Sequence, residues 1–187
     1  MKKTKKYLRI HGGEFNSRKI FFYERSTLRP LTGRWRQVVS DKFANMEGKT
    51  VADLFSGSGS WGISMLSNGA KHVSFFEKDR LSRRCILENL NNLRVKKEKY
   101  SINSGSLPGL MEQVDFKFDF VCCDPPFKNL ELGKKVLESC HKISHEKTKL
   151  AFRWPIKIPL PKLYNLHLVQ KIEHGNEGLI FLRFDND

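Results

Sequence analysis

The sequence predicts an α/β protein: a mostly parallel sheet with an antiparallel hairpin at its C-terminal edge, preceded by a small N-terminal β hairpin. Three observations predict it. From residue 50 onward, short apolar runs alternate with segments of helical period, the pattern of parallel strands joined by crossover helices. The runs NLHLVQKIEH and EGLIFLRF near the C-terminus are separated by a Gly175-Asn176 turn too tight for anything but antiparallel strands. Between the first strand and first helix of the alternation lies SGSGSWG, a glycine loop of the kind that turns a strand into a helix. Residues 1–30 form a basic hairpin extension, and residues 31–187 the main domain.

The elements follow in order. YLRIHGGEF and NSRKIFFY form the hairpin, with Gly12, Gly13 and Asn16-Ser17 able to turn the chain. Leu28-Arg29-Pro30 is an extended linker, and Thr32 caps a helix from Gly33 to Met46 with Trp35, Val38, Val39, Phe43 and Met46 on its apolar face. TVADLF and HVSFFE are strands flanking a helix that Gly69 stops. Asp79 caps the next helix, whose Ile86, Leu87, Leu90 and Leu93 face inward. EKYSIN is a strand, PGLMEQV a short helix and FDFVCCD a strand. LELGKKVLESCHKI is a helix, and TKLAFRW precedes the closing hairpin.

Composition bounds the function. The 187 residues suit one domain with an appendage and suffice for a core without disulfides. Lys and Arg total 34 against 20 acidic residues, a formal charge of +14, which favours a polyanionic partner such as RNA or DNA over a merely soluble basic protein. No apolar run reaches the length of a membrane span, and MKKTKK is followed by no apolar signal core, so a cytoplasmic setting is expected. Cys85, Cys122, Cys123 and Cys140 form no C-x-x-C pair and read as buried, reduced thiols. His141 and His145, four apart on an expected helix, lack the company of a metal site, so no metal is expected.

The loop Gly57-Ser58-Gly59-Ser60-Trp61-Gly62 fits a dinucleotide fingerprint by spacing, and a tight strand–helix turn by itself. Two carboxylates alter that reading. Asp53 at the end of the preceding strand would repel a pyrophosphate but favour an ammonium group, and Glu77 at the end of the next strand can take both hydroxyls of a ribose. Amine, glycine cradle and ribose together describe S-adenosylmethionine. An NAD-dependent dehydrogenase would leave the next motif unexplained.

That motif is Asp124-Pro125-Pro126-Phe127, which ends the strand FDFVCC. The prolines stop the strand and stiffen a corner. An exocyclic base amine is a poor nucleophile, and methylating it builds positive charge on nitrogen. The Asp124 carboxylate and the Pro125 carbonyl can accept its two N–H groups, and Phe127 offers a face on which the base stacks. The plainer alternative is a proline-stiffened loop with an incidental acid. In this topology the corner is expected to open on the same crevice as the glycine loop.

DLFSGSG, FFEKD and DPPF, preceded by RIHGGEFNSRKI and LRPLTGRWRQVVSDKF, resemble the bacterial 16S ribosomal RNA guanine-N2-methyltransferase family of RsmD type over nearly the whole chain. The resemblance implies a class I S-adenosylmethionine-dependent methyltransferase fold that methylates one guanine of small-subunit RNA; separately, a monomer and RNA presented in a small-subunit particle are expected. It implies cofactor contacts from Asp53, Phe55, Ser56, Gly57, Ser58, Gly59, Glu77, Lys78, Gly105, Ser106 and Asp124, and catalysis by Asp124, Pro125, Pro126 and Phe127. RNA contacts are expected from Arg9, Arg18, Lys19, Arg29, Arg34 and Arg36. The chain departs from the family pattern at Gly33, Gln37, Gly105, Arg153 and His174. An adenine-N6 methyltransferase shares the DPPF corner, and an RNA-binding protein without turnover could keep the fold.

Overall fold

The structure, a computed structural model, describes residues 4–24, 33–163 and 165–184. The chain divides into two compact units, Met1–Ser104 and Gly105–Asp187.

In the first unit, β1 (Lys5–Arg9) and β2 (Lys19–Tyr23) pair antiparallel with Arg9 opposite Lys19. The helix α1 spans Gly33–Lys42. Strand β3 (Thr50–Leu54), helix α2 (Ser60–Ser67), strand β4 (His72–Phe76), helix α3 (Arg80–Leu93) and strand β5 (Tyr100–Asn103) follow. β3, β4 and β5 run parallel, with β4 in the middle. The residues of β3 and β4 are almost wholly buried, as expected of parallel strands covered on both faces.

The hairpin docks on the helices of this unit by specific polar contacts as well as by Leu8, Ile10, Phe15, Ile20 and Phe22, all buried. Asn89 of α3 accepts the Phe21 N–H at 2.9 Å and donates to the Phe21 carbonyl at 2.8 Å, acting as a surrogate strand partner. Ser67 at the end of α2 accepts the Phe15 N–H at 2.9 Å and donates to the Gly12 carbonyl at 2.7 Å. Gly13 has φ +67°, and a Cβ there would lie 1.9 Å from the Ser67 carbonyl oxygen, so only glycine allows this approach.

Two local expectations need correction. α1 stops at Lys42 instead of Met46, because the Asn45 side chain accepts the Glu47 N–H and the Met46 N–H turns to the Asn68 carbonyl, drawing both groups away from the helix ladder. On α3 the buried stripe is Ser82, Cys85, Ile86, Asn89, Leu90 and Leu93, whereas Leu87 lies one residue further round and is exposed. The predicted Thr32 cap, and Arg29, lie outside the described residues, as do the side chains of Arg34 and Arg36.

The second unit begins with a 3₁₀ turn over Gly109–Gln113, followed by β6 (Phe118–Cys123), α4 (Leu130–Ser139), a further 3₁₀ turn over Cys140–Ile143, β7 (Ser144–Pro155), β8 (Leu166–His174) and β9 (Glu177–Phe184). β6 and β7 are parallel, while β9 pairs antiparallel with both β7 and β8. The Gly175-Asn176 turn joins β8 to β9, with Gly175 at φ +62°.

His141 and His145 do not share a helix. His141 sits in the 3₁₀ turn and His145 on β7, because the chain becomes extended at Ser144. His145 Nε2 lies 3.6 Å from an Asp119 carboxylate oxygen. The cysteines are free and buried, and burial pushes the Cys140 thiol up to about 12. Among the described residues, no His, Cys, Asp and Glu side chains group as a metal site, and no helix is long and apolar enough to cross a membrane.

Candidate active site

The glycine loop is held open by its flanks. Phe55, Gly57 and Gly59 all have positive φ, at 59°, 53° and 74°, so the chain leaves β3 through left-handed positions at every second residue. Ser56 pins this loop to β4: its Oγ accepts the Phe76 N–H at 2.9 Å and donates to the Asp53 carbonyl at 2.6 Å. Asp53 is buried, and its Oδ2 accepts the Gly62 N–H of α2 at 3.0 Å. A Cβ on Gly62 would lie 2.3 Å from Phe75 Cε1, so the third glycine of the motif permits close helix–strand packing. A Cβ on Gly59 would meet Ile86 Cγ1 at 2.9 Å. The second glycine is therefore demanded by the packing of the loop on α3.

Glu77 stands at the carboxyl end of β4, half-buried. Its Oε2 accepts the Gly57 N–H at 2.8 Å and its Oε1 the Asp79 N–H at 2.8 Å. A carboxylate offers about four lone-pair positions. Two backbone donors therefore fix its orientation and leave capacity for a vicinal diol, the acceptor geometry a ribose needs. Lys78 is exposed beside it, and the Asp79 side chain caps α3 through the Ser82 N–H at 2.8 Å. The residues of this unit thus fit a cofactor that carries a ribose.

In the second unit, Asp124 follows the last residue of β6. The parallel register pairs Cys123 with Phe152, so the next position along places Asp124 beside Arg153. The Arg153 Nη1 donates to Asp124 Oδ2 at 2.7 Å, and its Nη2 donates to Glu177 Oε1 at 3.2 Å. Burial pushes the Asp124 carboxyl up to about 6, with the Arg153 charge opposing and Glu177 adding to the rise. Arg153 also lies over the Phe127 ring, 5.0 Å from its centroid. Pro125 is buried against α4, where a Cβ on Gly133 would approach Pro125 Cγ to 3.1 Å and Trp154 Cζ3 to 3.0 Å. Pro126 is exposed, and its carbonyl accepts the Asn129 N–H at 2.8 Å, closing the turn into α4. The corner therefore combines a fixed carboxylate, a rigid backbone and an aromatic ring.

Gly105 and the exposed Ser106 open this unit, and a Cβ on Gly105 would press on Leu110 at 3.2 Å. Of the basic residues singled out in the sequence, Arg9 and Lys19 are exposed opposite one another on the hairpin. Arg18 is placed differently: its Nη2 donates to the Asn92 carbonyl at 2.7 Å, at the C-terminal end of α3. Sequence reasoning singled out Arg153 only as a departure from the family pattern, and it did not single out Glu177. The signal was present, since an arginine within the apolar run LAFRW has to find a carboxylate once it is buried.

The family model described as Conserved hypothetical protein 95 matches residues 8–183. The chain belongs to that family. The RsmD-type resemblance agrees with named relatives: the chain is 33% identical, over 64% of its own length and 64% of the relative's, to Ribosomal RNA small subunit methyltransferase D of Haemophilus influenzae. It is 30% identical, over 65% of its own length and 61% of the relative's, to the protein of the same name from Escherichia coli K12. The matched region thus spans less than two thirds of these relatives. Among solved structures, a putative methyltransferase, yhhF, from Escherichia coli superposes with a TM-score of 0.84 at 21% identity, covering 96% of this chain and 99% of that one. The fold is that of the class I methyltransferases, with a mostly parallel sheet, an antiparallel edge and an N-terminal hairpin.

Proposed function

We propose that this protein is a cytoplasmic S-adenosylmethionine-dependent methyltransferase acting on the N2 amino group of a guanine in 16S ribosomal RNA, presented in a small-subunit particle. The observation that carries the reading is the Asp124 carboxylate, fixed at the end of β6 by Arg153 and followed by a proline corner and the Phe127 ring. The names of its relatives and the excess of basic residues support an RNA substrate.

S-adenosylmethionine supplies an electrophilic methyl group on a sulfonium. Glu77 would take the ribose hydroxyls, its carboxylate already oriented by Gly57 and Asp79. Asp53 favours the positive end of the cofactor. At the acceptor corner, Asp124 Oδ1 and the Pro125 carbonyl accept the two amine hydrogens and direct the nitrogen lone pair. When bound, the cofactor would supply its methyl carbon to this lone pair with the thioether as leaving group, and the surplus amine proton would pass by way of Asp124 to solvent. A fixed anion beside a nitrogen that becomes positive stabilises the transition state more than the ground state. Phe127 holds the base by stacking.

The deciding experiment incubates the protein and radiolabelled S-adenosylmethionine with small-subunit particles and with naked 16S RNA, then identifies the methylated nucleoside by mass spectrometry. N2-methylguanosine is expected. N6-methyladenosine would transfer the mechanism to the other base that the DPPF corner can serve, and no product with cofactor bound would point to an RNA-binding role.

A further inference from the structure

The Arg153 side chain joins three groups of the second unit that the reaction would use or surround. It contacts the Asp124 carboxylate at 2.7 Å, the Glu177 carboxylate at 3.2 Å and the Phe127 ring at 5.0 Å. It comes from β7, Glu177 from the start of β9, and Asp124 and Phe127 from the turn after β6. Its side chain is only 6% exposed.

We propose that Arg153, held by Glu177, is the positioning residue of the acceptor corner: it ties down one oxygen of Asp124, leaves the other for the amine, and backs one face of Phe127 so that the base stacks on the opposite face. This rests on the reading of Asp124 as the amine acceptor.

Three observations carry it. A carboxylate on a free turn rotates about its Cα–Cβ and Cβ–Cγ bonds, whereas one oxygen bonded to a buried guanidinium leaves the second pointing in a fixed direction. Two carboxylates face one guanidinium, so with both ionised the group keeps one net negative charge. A simple Asp–Arg pair would be neutral and of little use to an amine that becomes cationic. Glu177 thus lets Arg153 orient Asp124 without cancelling it. Finally, the Arg153 Nε–H is buried with no hydrogen-bond partner among the described residues. Leaving such a buried donor unpaired is costly, so the guanidinium is placed by its two carboxylates and the ring instead of by full satisfaction of its own donors.

The charged side chains facing Asp124 among the described residues are Arg153 of β7 and Glu177 of β9, and they act on it in opposite directions. The test is the titration of the Asp124 carboxyl by carbon NMR, assigned by the resonance that disappears in Asp124→Asn, in wild type, Arg153→Met, Arg153→Lys and Glu177→Gln. Removing the opposite charge should raise the midpoint by about 1–3 pH units. Removing the like charge should lower it, and Arg153→Lys should lie between Arg153→Met and wild type. In methyl-transfer assays, Arg153→Met should lose kcat and recover part of it as pH rises, with affinity for S-adenosylmethionine unchanged, and Arg153→Lys should restore part of the rate. If Arg153→Met does not fold, the Lys and Gln variants suffice, since their shifts must still have opposite signs. An Asp124 midpoint that is unmoved, or that moves the same way in the Arg153 and Glu177 variants, overturns the proposal. Opposite shifts in a wild type that methylates no small-subunit RNA would retire the substrate reading and leave the positioning role standing.

Discussion

The Gly57 N–H donates to Glu77 Oε2 at 2.8 Å, so the first glycine of the loop and the acid that closes the neighbouring strand are bound to each other. This bond gives the acid an orientation before any ligand arrives. Glu77→Ala removes both the proposed diol acceptor and the anchor of the loop. Hydrogen bonds to charged groups contribute about 1.5–3 kcal/mol, equivalent to a loss of roughly 10- to 150-fold in affinity for S-adenosylmethionine. Isothermal calorimetry checks this, and an unchanged dissociation constant in a folded variant removes Glu77 from the site.

Gly62→Ala tests the loop as architecture. The new methyl would lie 2.3 Å from Phe75 Cε1 and 2.8 Å from Val73 Cγ1, so α2 has to move away from β4. Overpacking of this kind costs about 1–3 kcal/mol. Denaturant unfolding should show that loss. Gly59→Val would report the same physics through Ile86, so a loss of cofactor binding in that variant would reflect the packing of the loop on α3.

Asp124 sets a pH limit. Its carboxyl is raised to about 6, chiefly by burial, and the proposed acceptor is the ionised form. Above that value the group is charged and active. Below it the rate should fall tenfold per pH unit, and kcat/KM reports this limb for the free enzyme. Asp124→Ala should reduce turnover by at least about two orders of magnitude while cofactor binding changes far less. A pH profile that stays flat through pH 5 would exclude the ionised Asp124 as acceptor.

The strand–helix alternation was legible because buried parallel strands leave uninterrupted apolar runs, and TVADL and HVSFF needed nothing more. The Asp79 cap was legible because it is local, its partner lying three residues away. Pairings between elements distant in sequence were not. Nothing local assigns Arg18 to the end of α3, Asn89 to Phe21, or Arg153 to both Asp124 and Glu177, because each pairing exists only after strands have taken their register. Leu87 illustrates the narrower limit: hydrophobic identity suggested burial, but 100° of helical rotation decided against it.

The hairpin carries one arginine bonded to the end of α3 and another left exposed on the ribbon. Arg9 and Lys19 face each other on the ribbon and, with Lys5 and the 60%-exposed Tyr7, present exposed charge and an exposed ring. Arg18, two positions from Ile20, is bonded to the end of α3. Deleting the hairpin would strip Ile20, Phe22 and Leu8 from the core, so charge reversal is the cleaner probe. Arg9→Glu with Lys19→Glu should leave the melting temperature near wild type and weaken binding to 16S RNA. If both residues touch phosphates, the slope of log K against log salt should flatten by about 0.7–0.9 for each phosphate no longer neutralised. Arg18→Ala should do the reverse, lowering stability by about 0.5–1.5 kcal/mol through removal of the helix-end hydrogen bond while leaving the salt slope in place. Filter binding across a salt series, alongside thermal melts, distinguishes the two outcomes. An unchanged slope in the folded double variant would locate the RNA surface away from the hairpin.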